Sequence, residues 1–362
     1  MAVRRKIFIS GFRRLSVIKS HKFMFYAMRS WFLERIELLN RWLRQQFPAT
    51  PFSLAPASAD ASFRRYFRVS LPESTCIVMD APPQHEDCRP FIHVAGLLRG
   101  AGVNAPEVLA QNLEQGFLLL GDLGSQTYLD ALDETSADGL YRDAIDALLK
   151  FQLASRSEEL PPYDEALLLR EMRLFPEWYA NKHLQSVFSS EQAAQLEETF
   201  ALLNRNILAQ GQVFVHRDYH ARNLMVAEHN PGVLDFQDAV YGAVSYDLVS
   251  LFKDAYIGWE EERILDWTIR YWEKARKAGL PVPADFATFY RDFEWMGAQR
   301  HIKVLGIFAR LYHRDGKDGY LKDMPLVLDN LRKVCQRYSE LHPLYRLLDV
   351  LENRQAAVGY TF

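Results

Sequence analysis

The stretch that decides the reading runs from Phe214 to Phe236, "FVHRDYHARNLMVAEHNPGVLDF". An apolar run leads into His216-Arg217-Asp218, Asn223 follows, and a second apolar pair begins directly after it. The turn-forming string "EHNPG" then separates "NLMV" from "VLDF", which predicts a short β-hairpin. Asn223 stands at the start of that hairpin and Asp235 at its end, so antiparallel pairing sets the two side chains next to each other. One carboxylate and one carboxamide are hard oxygen donors of low total charge. Such a set suits Mg²⁺, which keeps waters and bridges to phosphates. Asp218 lies upstream, close enough to face the ion without ligating it, where a carboxylate can take a proton from a hydroxyl attacking phosphorus. The string therefore predicts phosphoryl transfer, with Asp218 as the catalytic base and Asn223 and Asp235 as metal ligands. The bland alternative makes the three a turn residue, a loop cap and a strand terminus.

His216 and His220 flank Asp218 and invite a zinc reading. A helical zinc pair needs Glu directly after the first His, and Arg217 stands there instead. His216 is expected to brace the loop backbone; His220 is expected either at the surface or near a phosphate.

The rest of the chain sets limits. With 362 residues there is enough sequence for one large domain or two lobes. A net charge of −3 gives no basic field for nucleic acid and no acidic excess for disorder. Three cysteines, Cys76, Cys88 and Cys335, make an odd count with no Cys-x-x-Cys pair, which favours reduced thiols and a cytoplasmic location. No apolar run approaches the length of a membrane span. Residues 1–30 carry eight Lys or Arg and no acidic residue. They read as a frayed basic extension, or alternatively as a transit peptide or membrane-surface helix.

Residues 31–121 read as a small α+β unit. "WFLERIELLNRWLRQQF" is an amphipathic helix, and strands are expected around "RYFRV", "TCIVMD", "EVLA" and "FLLL", with a helix over "FIHVAGLLRG". The string "PATPFSLAPASADAS" reads only as a Pro-, Ala- and Ser-rich connection. From residue 122 to 362 helical periodicity dominates, interrupted by the opening motif and its hairpin.

Taken together, "SFRRYFRV", "VMDAPP", "LLLGDLG", "LFPEWY", "HRDYHARNLM", "VLDFQDAVYGAVSYDLVSLFKDAY" and "QRHIKVLGIFARLYHRDGK" resemble the aminoglycoside-phosphotransferase and choline-kinase branch of the protein-kinase-like fold. Within it they are similar to the bacterial anomeric kinases of N-acetylmuramate and N-acetylglucosamine. The resemblance spans nearly the whole chain from about residue 40. It implies an α+β, bilobal protein-kinase-like fold, with a small mixed N-lobe carrying a β-sheet and a larger, mainly helical C-lobe. Only eleven residues separate Asp235 from Asp247, leaving no room for the peptide-docking segment of protein kinases, so the acceptor is expected to be a small molecule. Asp247 is expected to brace the catalytic loop from the start of the next helix.

The resemblance also implies ATP as co-substrate with Mg²⁺, bound through Ser62, Arg64, Arg65, Gly121 and Asp122. Two departures stand out. Ala and Ser replace the glycines of the phosphate-covering loop, and the strand "CIVMDAPP" has no Lys where kinases pair one with the phosphates. Met79 or Asp80 falls at that place, so an arginine or the metal has to supply the charge, and Asp80 has to take a metal or point away. Sugar contacts are expected from Glu171, Trp178, Arg300 and His301, with a cation such as Arg300 suited to the lactyl carboxylate of muramate.

The implied reaction is ATP-dependent phosphorylation of the anomeric hydroxyl of either amino sugar, in cell-wall (peptidoglycan) recycling. Partners are then ATP and the sugar, with no nucleic acid and no membrane span. By family analogy there is also a functional link to a sugar 1-phosphate nucleotidyltransferase. The rivals are a kinase of aminoglycosides, choline or homoserine, and a non-catalytic nucleotide-binding module.

Overall fold

The computed structural model describes residues 33–59 and 63–352. The basic leader and Ser62 lie outside the described residues. The chain divides into two units, residues 1–88 with 108–122, and residues 89–107 with 123–362.

In the first unit, five strands form one antiparallel sheet in the order β1-β2-β3-β5-β4: β1 (Ser53–Ala59), β2 (Arg65–Ser70), β3 (Thr75–Asp80), β4 (Val108–Asn112) and β5 (Phe117–Gly121). Side chains two apart share a face of a strand. Phe67 and Val69, Cys76 and Val78, and Phe117 and Leu119 thus line one side of the sheet. Helix α1 (33–46) lays Leu39, Trp42 and Leu43 onto that side, and Trp42 meets Phe117 at 5.7 Å between ring centroids. Strand β1 was not expected from the sequence. It lies at the sheet edge with largely solvent-facing residues, and its pairing slips beside Pro56, the kind of place where a sheet tolerates proline.

Residues 89–107 sit in the middle of the first region of sequence yet pack in the second unit. Helix α2 (Arg89–Gly100) sends Phe91 against Phe236, ring centroids 4.8 Å apart. The segment after it runs beside the hairpin, where Val233 N donates to Asn104 O at 2.8 Å.

The other helices of the second unit are α3 (Tyr128–Ala131), α4 (Ala137–Leu153), α5 (Glu165–Met172), α6 (Ser190–Ala209), α7 (Tyr246–Phe252), α8 (Glu261–Ala278), α9 (Phe286–Asp315), α10 (Met324–Arg337) and α11 (His342–Leu351). A π-helical segment, Phe175–His183, follows α5; π turns are rare and often lie beside functional residues. Helix α9 is the spine. From Asp292 to Gly306 every residue is buried, on all sides of the helix. That includes Glu294, Arg300, His301 and Lys303, charges or polar groups that an amphipathic surface helix would send outward. Its Gly306 abuts the backbone of Leu174, where a Cβ would come within 2.5 Å of the carbonyl carbon.

Two short ladders carry the motif. Strands β6 (Gln212–Val215) and β9 (Val240–Ala243) pair antiparallel, and β7 (Leu224–Met225) pairs with β8 (Gly232–Val233) in the expected hairpin. Residues 216–223 form the loop from β6 to β7.

Candidate active site

The loop is fixed from behind before it presents anything. Asp247, buried in the first turn of α7, accepts from His216 N at 2.7 Å and from Arg217 N at 3.0 Å. That is the bracing role its position suggested. Burial moves its pKa up to about 7, against the pull of those two amides. His216 is equally structural. Its Nε2 donates to Leu234 O at 2.9 Å, and its Nδ1 accepts from Asp218 N at 3.2 Å, so both ring nitrogens are engaged. Burial pushes its pKa down to about 4 and keeps the ring neutral. His220 is also buried, its ring edge-on to Tyr256 at 5.3 Å, and not at the surface.

Arg217 has φ +77, a left-handed conformation rare for a bulky side chain. Four contacts hold it there. Asp247 takes its amide, Arg300 Nη1 donates to its carbonyl at 2.8 Å, and its guanidinium ion-pairs with Glu171 and donates to Asp238 O at 3.2 Å. Glu171 in turn accepts from Tyr163 and pairs with Lys303 at 3.0 Å, whose ammonium reaches Tyr246 Oη at 2.9 Å. This buried network spans α5, α7, α9 and the loop, so the turn between His216 and Asp218 is set by tertiary contacts and not by local preference.

Asp218 emerges from that turn partly exposed, with Arg300 Nη2 at 3.7 Å from its Oδ1. Burial of the loop opposes its charge, but Arg300, Lys303, His220 and Arg217 outweigh that and hold its pKa well below the usual carboxylate range. It is therefore ionised at neutral pH, as a proton acceptor must be.

The hairpin brings the two expected metal ligands together. Leu234 N donates to Asn223 O at 2.9 Å, and Asp235 turns back with φ +60. Asn223 Nδ2 then lies 3.0 Å from Asp218 O and 3.3 Å from Asp235 Oδ2. Gln237 Nε2 donates to Asp235 Oδ1 at 2.8 Å. A half-turn of the Asn223 carboxamide presents oxygen in place of nitrogen, giving two adjoining hard donors with one charge. Among the described residues no group of three or more His, Cys, Asp or Glu could cage a metal. A two-ligand set fits an ion whose remaining shell is water and phosphate, as for Mg²⁺.

The predicted sugar contacts divide. Glu171 and Arg300 join the network behind Asp218, both buried and both with polar partners. His301, one residue on along α9, faces the Lys253 carbonyl at 3.2 Å. Trp178 is half-buried on the π-helical segment.

In the first unit, Arg64 donates to Glu86 at 3.1 Å, Asp122 accepts from Arg68 at 2.6 Å and 3.0 Å, and Gly121 closes β5 opposite Cys76. Asp80 is fully buried and ion-pairs with both Arg65 and Arg35 of α1. The carboxylate at the lysine-less end of β3 thus points away into two guanidinium groups.

Sequence reasoning missed Arg35, although the signal was present. It shares a helix face with Leu39, Trp42 and Leu43, and a cation in an apolar stripe has to find a buried anion. Arg217, Tyr163 and Tyr246 left no comparable pattern.

Residues 53–287 match the model of the phosphotransferase enzyme family, APH. The chain belongs to that family. The family's curated relatives include the N-acetylmuramate/N-acetylglucosamine kinase of Pseudomonas aeruginosa, 51% identical over 87% of this chain and 96% of its own length. The enzyme of the same name from Neisseria meningitidis is 49% identical over 91% of this chain and 100% of its own. Among solved structures, choline kinase LicA from Streptococcus pneumoniae superposes with a TM-score of 0.57 at 12% identity, covering 82% of this chain and 99% of its own. ADP-bound aminoglycoside phosphotransferase APH(2'')-Ib gives 0.52 at 15%, covering 82% and 97%. Those likenesses establish the family's protein-kinase-like fold, and the chain is a phosphotransferase.

Proposed function

We propose that the protein transfers the γ-phosphoryl group of ATP to the anomeric hydroxyl of N-acetylmuramate or N-acetylglucosamine, releasing the sugar 1-phosphate. The observation that carries this is the convergence of Asp218, Asn223 and Asp235 in a chain half identical to enzymes of that name. Asp218 takes the hydroxyl proton at its carboxylate as the sugar oxygen closes on phosphorus. Arg300 and Lys303 keep that carboxylate ionised until then. Mg²⁺, held by Asn223 and Asp235, would supply charge neutralisation on the phosphate oxygens. The network from Glu171 to Tyr246 keeps the loop in place, so the protein's contribution is alignment and fixed charge more than covalent chemistry.

The nucleotide belongs with the first unit's Arg64, Arg65, Gly121 and Asp122, and the sugar with the second unit beside Asp218. We place the reaction in the cytoplasm, in recycling of cell-wall sugars, with a nucleotidyltransferase consuming the product. A substrate panel separates this from kinases of aminoglycosides, choline or homoserine, since a cationic acceptor calls for an acidic pocket.

The test is phosphorus NMR of the product formed from ATP and each sugar by the purified protein. A signal from phosphate on the anomeric carbon is expected; a 6-phosphate, or no product, overturns the proposal. Asp218→Asn is expected to lower kcat by about 10²- to 10⁴-fold with nucleotide affinity nearly intact.

A further inference from the structure

Four cations come close to the catalytic loop in the second unit, and three are already committed. Arg217 is held by Glu171 and the Asp238 carbonyl, Lys303 by Glu171 and Tyr246, and Arg300 by Tyr246 and the Arg217 carbonyl. Each has a mostly buried side chain. Arg222 differs. It lies in the loop itself, directly before the metal-binding Asn223, and its side chain remains 35% exposed. Among the described residues its guanidinium makes no hydrogen bond. Its one carboxylate neighbour, Asp323, stands at 3.8 Å, beyond hydrogen-bond reach.

The guanidinium is nevertheless held in place. It lies 3.6 Å over the ring of Tyr256, with Tyr320 at 5.8 Å. Stacking of this kind fixes the plane of the group while leaving its N–H edge open, the edge that takes a carboxylate two-pronged. Arg222 stands four residues after Asp218 in the same loop, residues 216–223. His220, whose Nδ1 is buried without a hydrogen-bond partner among the described residues, packs on Tyr256.

We propose that Arg222, laid on Tyr256, is the subsite for an anionic substituent of the sugar, and that it sets the preference for N-acetylmuramate over N-acetylglucosamine. This rests on the sugar-kinase reading above. The two sugars differ at one place: muramate carries a lactyl ether ending in a carboxylate where the other has a hydroxyl. A preorganised guanidinium with unused donors rewards the carboxylate and gains little from the hydroxyl. Arg300 is buried and turned to the loop instead, its Nη1 donating to the Arg217 carbonyl and Tyr246 and its Nη2 facing Asp218 at 3.7 Å.

The experiment compares kcat/KM for the two sugars in the wild type, Arg222→Gln and Arg222→Lys. The muramate-to-glucosamine ratio is expected to fall about 10- to 100-fold in Arg222→Gln and less in Arg222→Lys, which keeps charge but loses the fork. In parallel, the methyl ester of N-acetylmuramate is given to the wild type, which is expected to lose at least about tenfold relative to the free acid. That arm needs no folded variant. A ratio unchanged within about threefold in Arg222→Gln, or an ester used as well as the acid, overturns this inference alone. A wild type that turns over neither sugar overturns the sugar-kinase reading, and this subsite with it.

Discussion

At the residue scale the decisive fact is how differently the ionisable groups of the loop are treated. Asp218 is held ionised by neighbouring cations, whereas His216, two positions earlier, is held neutral by burial. The histidine has a consequence for stability. Its pKa is about 4 in the folded chain, below the 6.5 of a free side chain, so the unfolded state binds the proton first. Stability is whole above pH 6.5 and is lost as the pH falls toward 4, by on the order of 3 kcal/mol. Buried His301, with its pKa pushed down to about 3, adds a loss of the same sign. Buried Asp247, with its pKa raised to about 7, contributes with the opposite sign as the pH falls, so the histidine share is read as a difference. In urea titrations between pH 7 and 4, His216→Gln, which keeps a donor toward Leu234 O, is expected to lose less stability on acidification than the wild type. An unchanged slope in the variant would mean that the ring is solvated. Much of this scale was legible in the sequence: residue types at fixed spacing named Asp218, Asn223, Asp235 and Asp247. The charges that tune Asp218 were less so, because Arg300 and Lys303 come from α9, far along the chain.

At the scale of elements, helix α9 and the π-helical segment meet through a missing side chain. Gly306 lets the helix approach the Leu174 backbone so closely that a Cβ would sit 2.5 to 2.7 Å from atoms of that residue. Backbone cannot rotate aside as a side chain can. Gly306→Ala is therefore expected to destabilise by about 1–3 kcal/mol despite alanine's better helix propensity, read from the denaturation midpoint. The same helix holds Arg300 and Lys303 against the loop, so kcat should fall with it. In the first unit the buried triad of Asp80 with Arg35 and Arg65 ties α1 to β2 and β3. Arg35→Met keeps the length and the contact with Phe117 but leaves Asp80 with one guanidinium. A loss of about 3–5 kcal/mol is expected for breaking a buried pair from one side, and Arg35→Met with Asp80→Asn together should recover part of it. Strand β1 marks the limit of sequence reasoning here. An exposed edge strand needs no apolar alternation, so its residues read as a connection.

For the whole molecule, the predicted dependence is on a divalent ion. On the proposed reading Asn223 and Asp235 would be an incomplete ligand set, so the ion is expected to bind with the substrate phosphates and not to hold the fold together. EDTA should abolish phosphate transfer while leaving the melting temperature within about 2 °C, and added Mg²⁺ should restore turnover. A large drop in melting temperature on chelation would point instead to a structural metal. The sequence by itself pointed to phosphotransferase chemistry, because catalytic residue types, their spacing and the hairpin turn are all local in the chain, and the family resemblance of its strings implied the bilobal fold. It also determined that the acceptor is small, from the short step between Asp235 and Asp247. Only the tertiary structure decided that Asp80 pairs with Arg35 and Arg65, that Glu171 and Arg300 stand behind Asp218, and that Arg222 makes no hydrogen bond among the described residues. Those outcomes depend on which charges meet across long sequence separations: the apolar stripe of α1 shows that Arg35 needs a buried anion but not which one, and the other pairings leave no periodic trace in either partner's own segment.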